Sequence, residues 1–114
     1  LKHGILTALS SDAPVVSNLN PVKGVEAAVN RKDNEGFAIA PHESISIAEA
    51  LKAYTLSAAA IGKTTQSGSL LPGQFADIIL LNRDPLTTAI NELANIKVEQ
   101  TFIDGKCVYD KSIS

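Results

Sequence analysis

Gly68-Ser69-Leu70-Leu71-Pro72-Gly73-Gln74-Phe75-Ala76-Asp77-Ile78-Ile79-Leu80-Leu81-Asn82 is the stretch on which the fold turns. Pro72-Gly73 suits a type II turn, because proline presets φ at the second position and glycine supplies positive φ at the third. The unbroken apolar run after Ala76-Asp77 predicts a strand buried on both faces.

Downstream, Asp84-Pro85-Leu86 turns the chain and Ile90 to Ile96 has room for a short helix. Val98 to Ile103 and Cys107 to Tyr109 flank Asp104-Gly105, the strongest short hairpin signal. Upstream the character is helical. Asn20-Pro21 predicts a helix start, with asparagine capping and proline in the first turn. That helix carries Val22, Val25, Ala28 and Val29 on one side and stops after Arg31.

Ser46-Ile47-Ala48-Glu49 is a capping box that opens a second helix. Ile47, Leu51, Tyr54, Ala58 and Ile61 form its predicted apolar stripe. Thr55 and Ser57 divide it in two, Ser57 capping the second part, and Gly62 stops it. Gly4 to Leu9 reads as a strand running into the Ser10-Ser11-Asp12-Ala13-Pro14 loop.

The chain has 114 residues, room for one domain at most, with a net charge of −2 and 45% hydrophobic residues. Scattered charges show no basic face for nucleic acid, and no apolar run approaches the ~20 residues of a membrane span. Cys107 is the only cysteine, which excludes an internal disulfide and leans toward a reducing, cytoplasmic setting. Methionine is absent, so Leu1 is not expected to be the native start.

Asp12 is the main candidate for chemistry, standing where an apolar strand ends. Functional groups of α/β barrels come from the C-terminal ends of strands. Its local pattern alone favours a turn-capping carboxylate over a catalytic one. His3 and His42 read as surface residues, Cys107 as a small core hydrophobe, and Arg31-Lys32-Asp33 as a solvated helix end. Asp77 is expected to fix its own turn by hydrogen bonding to nearby backbone.

The spelling G-x-L-x-P-G-x-x-A-D of residues 68–77 resembles the signature near the C-terminus of the amidohydrolase superfamily. Ser11-Asp12-Ala13-Pro14-Val15, then Pro21, Gly24, Ala28-Val29 and Arg31, resembles the end of the eighth barrel strand and its helix in amidohydrolase family 3, the formamide deformylase-like branch. Glu49 to Thr55 with Ser57-Ala58-Ala59, Arg83 to Leu86 and Ile103 to Tyr109 follow in the same order. The resemblance implies a parent with a (β/α)8 barrel plus a composite β-sandwich, of which this chain alone is an α+β fragment. Residues 1–66 would end the barrel, with its last strand and two or three helices. Residues 67–114 would supply the C-terminal strands of the sandwich, including a hairpin.

The implied activity is hydrolysis of non-peptide C–N bonds in small amide-like substrates through water activated by a divalent metal, zinc first among them. Asp12 would bind the metal, hydrogen-bond its water, or both. The H-x-H pair of such enzymes does not occur here. The isolated chain is therefore expected to be inactive and to hold no stoichiometric metal. Exposed strand edges or apolar helix faces imply a homo-oligomer. The rival reading is a non-catalytic β-rich binding or assembly module of a pseudoenzyme.

Overall fold

A computed structural model describes residues 3–15 and 18–113; Leu1 lies outside them. The N-terminal half is helical. α1 spans Pro21–Asn30, and the Asn20 side chain accepts a hydrogen bond from the Val22 N–H at its start. It ends where Arg31 turns left-handed and donates its N–H to the Ala27 carbonyl. α2 covers Ile47–Tyr54 and α3 covers Leu56–Ile61. The capping box forms reciprocally: Ser46 Oγ accepts from the Glu49 N–H at 3.2 Å, and Glu49 accepts from the Ser46 N–H at 2.8 Å. Those bonds from Ser46 hold the Glu49 carboxyl below the usual glutamate range.

The break between α2 and α3 falls at Thr55, as expected, but Ser57 does not cap. It lies inside α3 and is buried. Gly62 does end α3, yet with helical angles; the left-handed residue is Lys63, at φ 57°.

The C-terminal half is a three-stranded antiparallel sheet in the order β1-β2-β3, with β1 at Ile78–Leu81, β2 at Val98–Ile103 and β3 at Lys106–Asp110. The Leu71 carbonyl accepts from the Gln74 N–H at 3.1 Å, closing the Pro72-Gly73 turn with Gly73 at φ 88°. Asp104 and Gly105 both have positive φ, 48° and 76°, the pair of angles a type I′ hairpin requires. Ile90–Asn95 is helical in its tighter 3₁₀ form.

Two strand expectations are corrected. Gly4 to Leu9 belongs to no sheet; its link to the helices is the Leu9 N–H donating to the Ala53 carbonyl at 3.3 Å. A strand needs a neighbour, and the described residues offer this segment none. β1 is not buried on both faces, since Ile79 and Leu80 remain 54% and 50% exposed. It is an edge strand of a small antiparallel sheet, which no helix covers on both sides.

The core is small. Val25 of α1, Ala50 and Ala53 of α2, and Leu93 and Ile96 around the 3₁₀ helix are buried, together with Ser57. The expected stripe is displaced: Ala50, Ala53 and Ser57 form the buried face of α2 and α3, while Ile61 is half exposed. Small residues let the helices approach closely. The radius of gyration is 14.9 Å, against about 13 Å for a compact chain of this length.

Gly24 is the tightest point of that approach, because a Cβ there would land on the Tyr54 hydroxyl. Burial of this ring also raises the Tyr54 pKa. Gly24→Ala should therefore destabilise the chain by about 1–3 kcal/mol in urea titration, and Tyr54→Leu in the same molecule should recover part of the loss. In acid, the depressed Glu49 carboxyl gives a signed expectation. Its contribution is present above the unfolded glutamate pKa and is lost as pH falls through the folded one. Ser46→Ala should move the Glu49 titration, followed by NMR, back up toward the ordinary value.

Candidate functional site

Asp12 occupies a turn whose shape is held by backbone and by Ser10. The Asp12 N–H donates to Ser10 Oγ at 3.2 Å, and the Asp12 carbonyl accepts from the Val15 N–H at 2.9 Å. Asp12 itself is left-handed, φ 50°, a conformation aspartate tolerates better than most residues. The Ala13–Pro14 peptide that follows is cis. The Asp12 side chain is exposed, and its carboxylate makes no hydrogen bond or ion pair among the described residues. The turn-capping alternative thus fails in detail: the serine hydroxyl caps, and the carboxylate stays available.

The segment leading to Asp12 lies against the helices. Thr7 and Leu9 share a cleft of ≈ 220 Å³ with Ala28, Arg31, Glu43 and Ala53. Arg31 is the half-exposed end of α1, with Lys32 and Asp33 exposed beyond it, and it also anchors a loop. Its Nε donates to the Ile39 carbonyl at 3.1 Å and its carbonyl accepts from the Ile39 N–H at 2.7 Å, which folds residues 32–38 into a small loop. Asp33 Oδ1 completes that loop by accepting from the Glu35 and Phe37 amides.

The other sequence candidates are not brought to Asp12. His3 is exposed, and His42 sits on a 3₁₀ turn at Pro41–Glu43, 3.7 Å from the Glu43 carboxylate. Cys107 is corrected from core to surface: it is exposed on β3, and its thiol donates to the Tyr109 carbonyl at 3.3 Å. A hairpin residue is buried only if something covers its face. Among the described residues, no group of three or more His, Cys, Asp or Glu could hold a metal ion. No helix among them is long and apolar enough to cross a membrane.

Asp77 acts at longer range than expected. Its Oδ1 accepts from the Asp104 N–H at 2.9 Å, and the Ala76 carbonyl accepts from the Gly105 N–H at 3.0 Å. The Ala76-Asp77 pair thus clasps the hairpin turn. At the far end of β1, Asn82 Oδ1 accepts from the Lys97 N–H at 2.8 Å, and the Asn82 N–H donates to the Lys97 carbonyl at 3.0 Å. Sequence reasoning missed both long-range roles. The available signal was an amide-accepting side chain at each end of a four-residue strand.

With this geometry established, comparison with known proteins is informative. A model of the amidohydrolase family (Amidohydro_3) matches residues 1–109. The chain belongs to the amidohydrolase family. It is 33% identical over 113 residues to an N-substituted formamide deformylase of Arthrobacter pascens, covering 98% of this chain and 21% of that protein. It is 34% identical over 116 residues to the putative amidohydrolase YtcJ of Bacillus subtilis (strain 168), covering 98% and 22% respectively. The crystal structure of an amidohydrolase from Thermotoga maritima MSB8 superposes with a TM-score of 0.71 at 24% identity, over 96% of this chain and 24% of that one. That likeness concerns the fold. The chain spans about a fifth of the length of the curated relatives.

The family resemblance implies a divalent metal, and the donor set can be tested against it. Catalytic zinc takes three protein ligands plus water, whereas among the described residues no group of three or more His, Cys, Asp or Glu, with or without Asp12, could hold an ion. These residues do not fit an ion by themselves.

Within the sheet, Asp77→Ala removes one acceptor and should cost about 0.5–1.5 kcal/mol. Hydrogen exchange at the Asp104 amide should speed up, while α1 amides should be much less affected. An unchanged Asp104 amide would show that the clasp is not formed in solution.

Proposed function

We propose that this chain is the C-terminal portion of a longer amidohydrolase that cleaves C–N bonds other than peptide bonds in small amide-like substrates. Family membership supports the reaction class, and the similarity to a relative named N-substituted formamide deformylase supports the bond type. In this reading residues 1–66 complete a (β/α)8 barrel and residues 67–114 contribute to an accessory β-sandwich. A barrel of that kind needs ~250 residues, so the remaining strands and the metal ligands other than Asp12 come from outside the chain.

Asp12 is the residue proposed to act. The observation that carries it is the exposed carboxylate, presented by a turn whose hydrogen bonds are made by other groups. No internal bond has to break before it meets a substrate or a neighbouring segment. A carboxylate so placed can accept a proton from an attacking water and return it to a leaving amine. The divalent metal implied by the family, zinc first, would supply Lewis-acid chemistry in the longer protein, held by Asp12 together with ligands this chain lacks.

The test is steady-state kinetics of the longer protein with Asp12→Asn, which keeps shape and removes basicity. kcat should fall at least ~100-fold with the circular dichroism spectrum unchanged. Unaltered turnover would refute the assignment. The 114-residue chain alone should show no amide hydrolysis and retain no stoichiometric zinc after dialysis. A longer protein that binds amides without turning them over would favour the binding-module reading.

A further inference from the structure

Two aspartates of this chain have a left-handed backbone, Asp12 at φ 50° and Asp104 at φ 48°. Both are held by the same device. A side-chain oxygen takes the N–H of the strained residue: Ser10 Oγ for Asp12, at 3.2 Å, and Asp77 Oδ1 for Asp104, at 2.9 Å. Arg31 and Lys63, left-handed at helix ends, give their N–H groups to the Ala27 and Ala60 carbonyls instead. At Asp104 the bond closes the sheet. At Asp12 it orders a turn whose carboxylate makes no bond among the described residues.

The placement of Ser10 gives that bond its reach. Leu9 is tied to α2 by its N–H on the Ala53 carbonyl, and Ala53 is buried. Ser10 follows directly, so its hydroxyl is carried by chain that is already anchored. Rotation about the Asp12 N–Cα bond carries Cβ with it, so φ decides where the carboxylate points relative to that anchor. The Val15 N–H on the Asp12 carbonyl closes the turn after the residue; Ser10 is the side chain that acts before it. Without its acceptor, an L-residue relaxes toward negative φ, and the carboxylate turns away. The bond lies within residues 10–12, so segments beyond this chain are not needed to make it.

We propose that Ser10 is a positioning residue: its hydroxyl oxygen holds the left-handed Asp12 backbone and so aims the carboxylate at the reacting atoms. This rests on the reading of Asp12 as the acting carboxylate. Loss of the hydroxyl then lowers turnover and leaves substrate binding alone, because aim matters in the transition state more than in the bound complex.

Steady-state kinetics of the longer protein tests it. Ser10→Ala should lower kcat about 10-fold, with KM little changed and the circular dichroism spectrum unaltered, since Ser10 is exposed. Ser10→Thr keeps the acceptor and should retain turnover. In the pair Ser10→Ala with Asp12→Asn, the rate should equal that of Asp12→Asn alone, because a residue that acts through Asp12 has nothing left to aim. Where that rate is too low to divide further, the contrast between Ser10→Ala and Ser10→Thr decides. Full turnover in Ser10→Ala beside an inactive Asp12→Asn would overturn the inference and leave the role of Asp12 standing. Equal losses in Ser10→Ala and Ser10→Thr, or a further loss in the pair, would overturn it too. Unaltered turnover in Asp12→Asn would refute the reading beneath it and this inference together.

Discussion

The clasp between Ala76-Asp77 and Asp104-Gly105 is the constraint on which the sheet depends. β1 has only four residues, too few to specify a register alone. Two hydrogen bonds at its start tie it to the hairpin turn, and the Asn82 pair ties its end to Lys97. The segment between Asn82 and Lys97 can then close as a compact excursion. Asp84 supports it by accepting from the Leu86 amide, and the 3₁₀ helix brings Leu93 and Ile96 into the core. A one-residue slip of β1 would exchange its two faces and break both ends at once. The conformation of the type I′ turn matters for the same reason, since it aims the Asp104 and Gly105 amides at their acceptors.

The helical half solves a different problem. The buried face of α2 and α3 is made of alanines and a serine, and Gly24 of α1 admits the Tyr54 ring. Close approach replaces bulk there, so the area removed from water per residue is small. Val25, Leu93 and Ile96 carry most of the apolar burial, on the order of 1.5–3 kcal/mol each. Many larger hydrophobics stay outside, among them Val15, Phe37, Leu70 and Ile113. That balance suits a chain about one fifth the length of its curated relatives. Its apolar surface exceeds what its own elements can cover.

What was legible in the sequence was what is decided locally. The Asn20 cap, the Ser46–Glu49 box, the Pro72-Gly73 turn and the Asp104-Gly105 turn each involve groups a few residues apart, and all formed. The misreadings concern burial and partners. Apolar runs at Gly4–Leu9 and Ile78–Leu81 report that a strand could be covered, not that this chain supplies the cover. Cys107 alternates correctly with its neighbours and is exposed because no layer lies over it. Ser57 looked like a cap because serine so often is one, yet its position on the alanine face settles its role. Asp77 finds its partner 27 residues away, beyond what a local rule can see.

The same distinction gives Asp12 its weight. Asp33, Asp77 and Asp84 spend carboxylate oxygens on backbone amides, and Asp110 takes hydrogen bonds from Ser112 and Gln100 that hold its carboxyl below the usual aspartate range. Among the aspartates, Asp12 and Asp104 alone make no such side-chain bond among the described residues. For Asp104 the hairpin explains the residue, since aspartate before glycine is what a type I′ turn selects. Asp12 has a left-handed backbone too, but Ser10 already stabilises its turn, so local structure does not require the acid. A carboxylate that the fold does not use is free to serve the role proposed for it, meeting a substrate or a neighbouring segment. That makes Asp12 the position at which loss of charge should cost activity without costing structure.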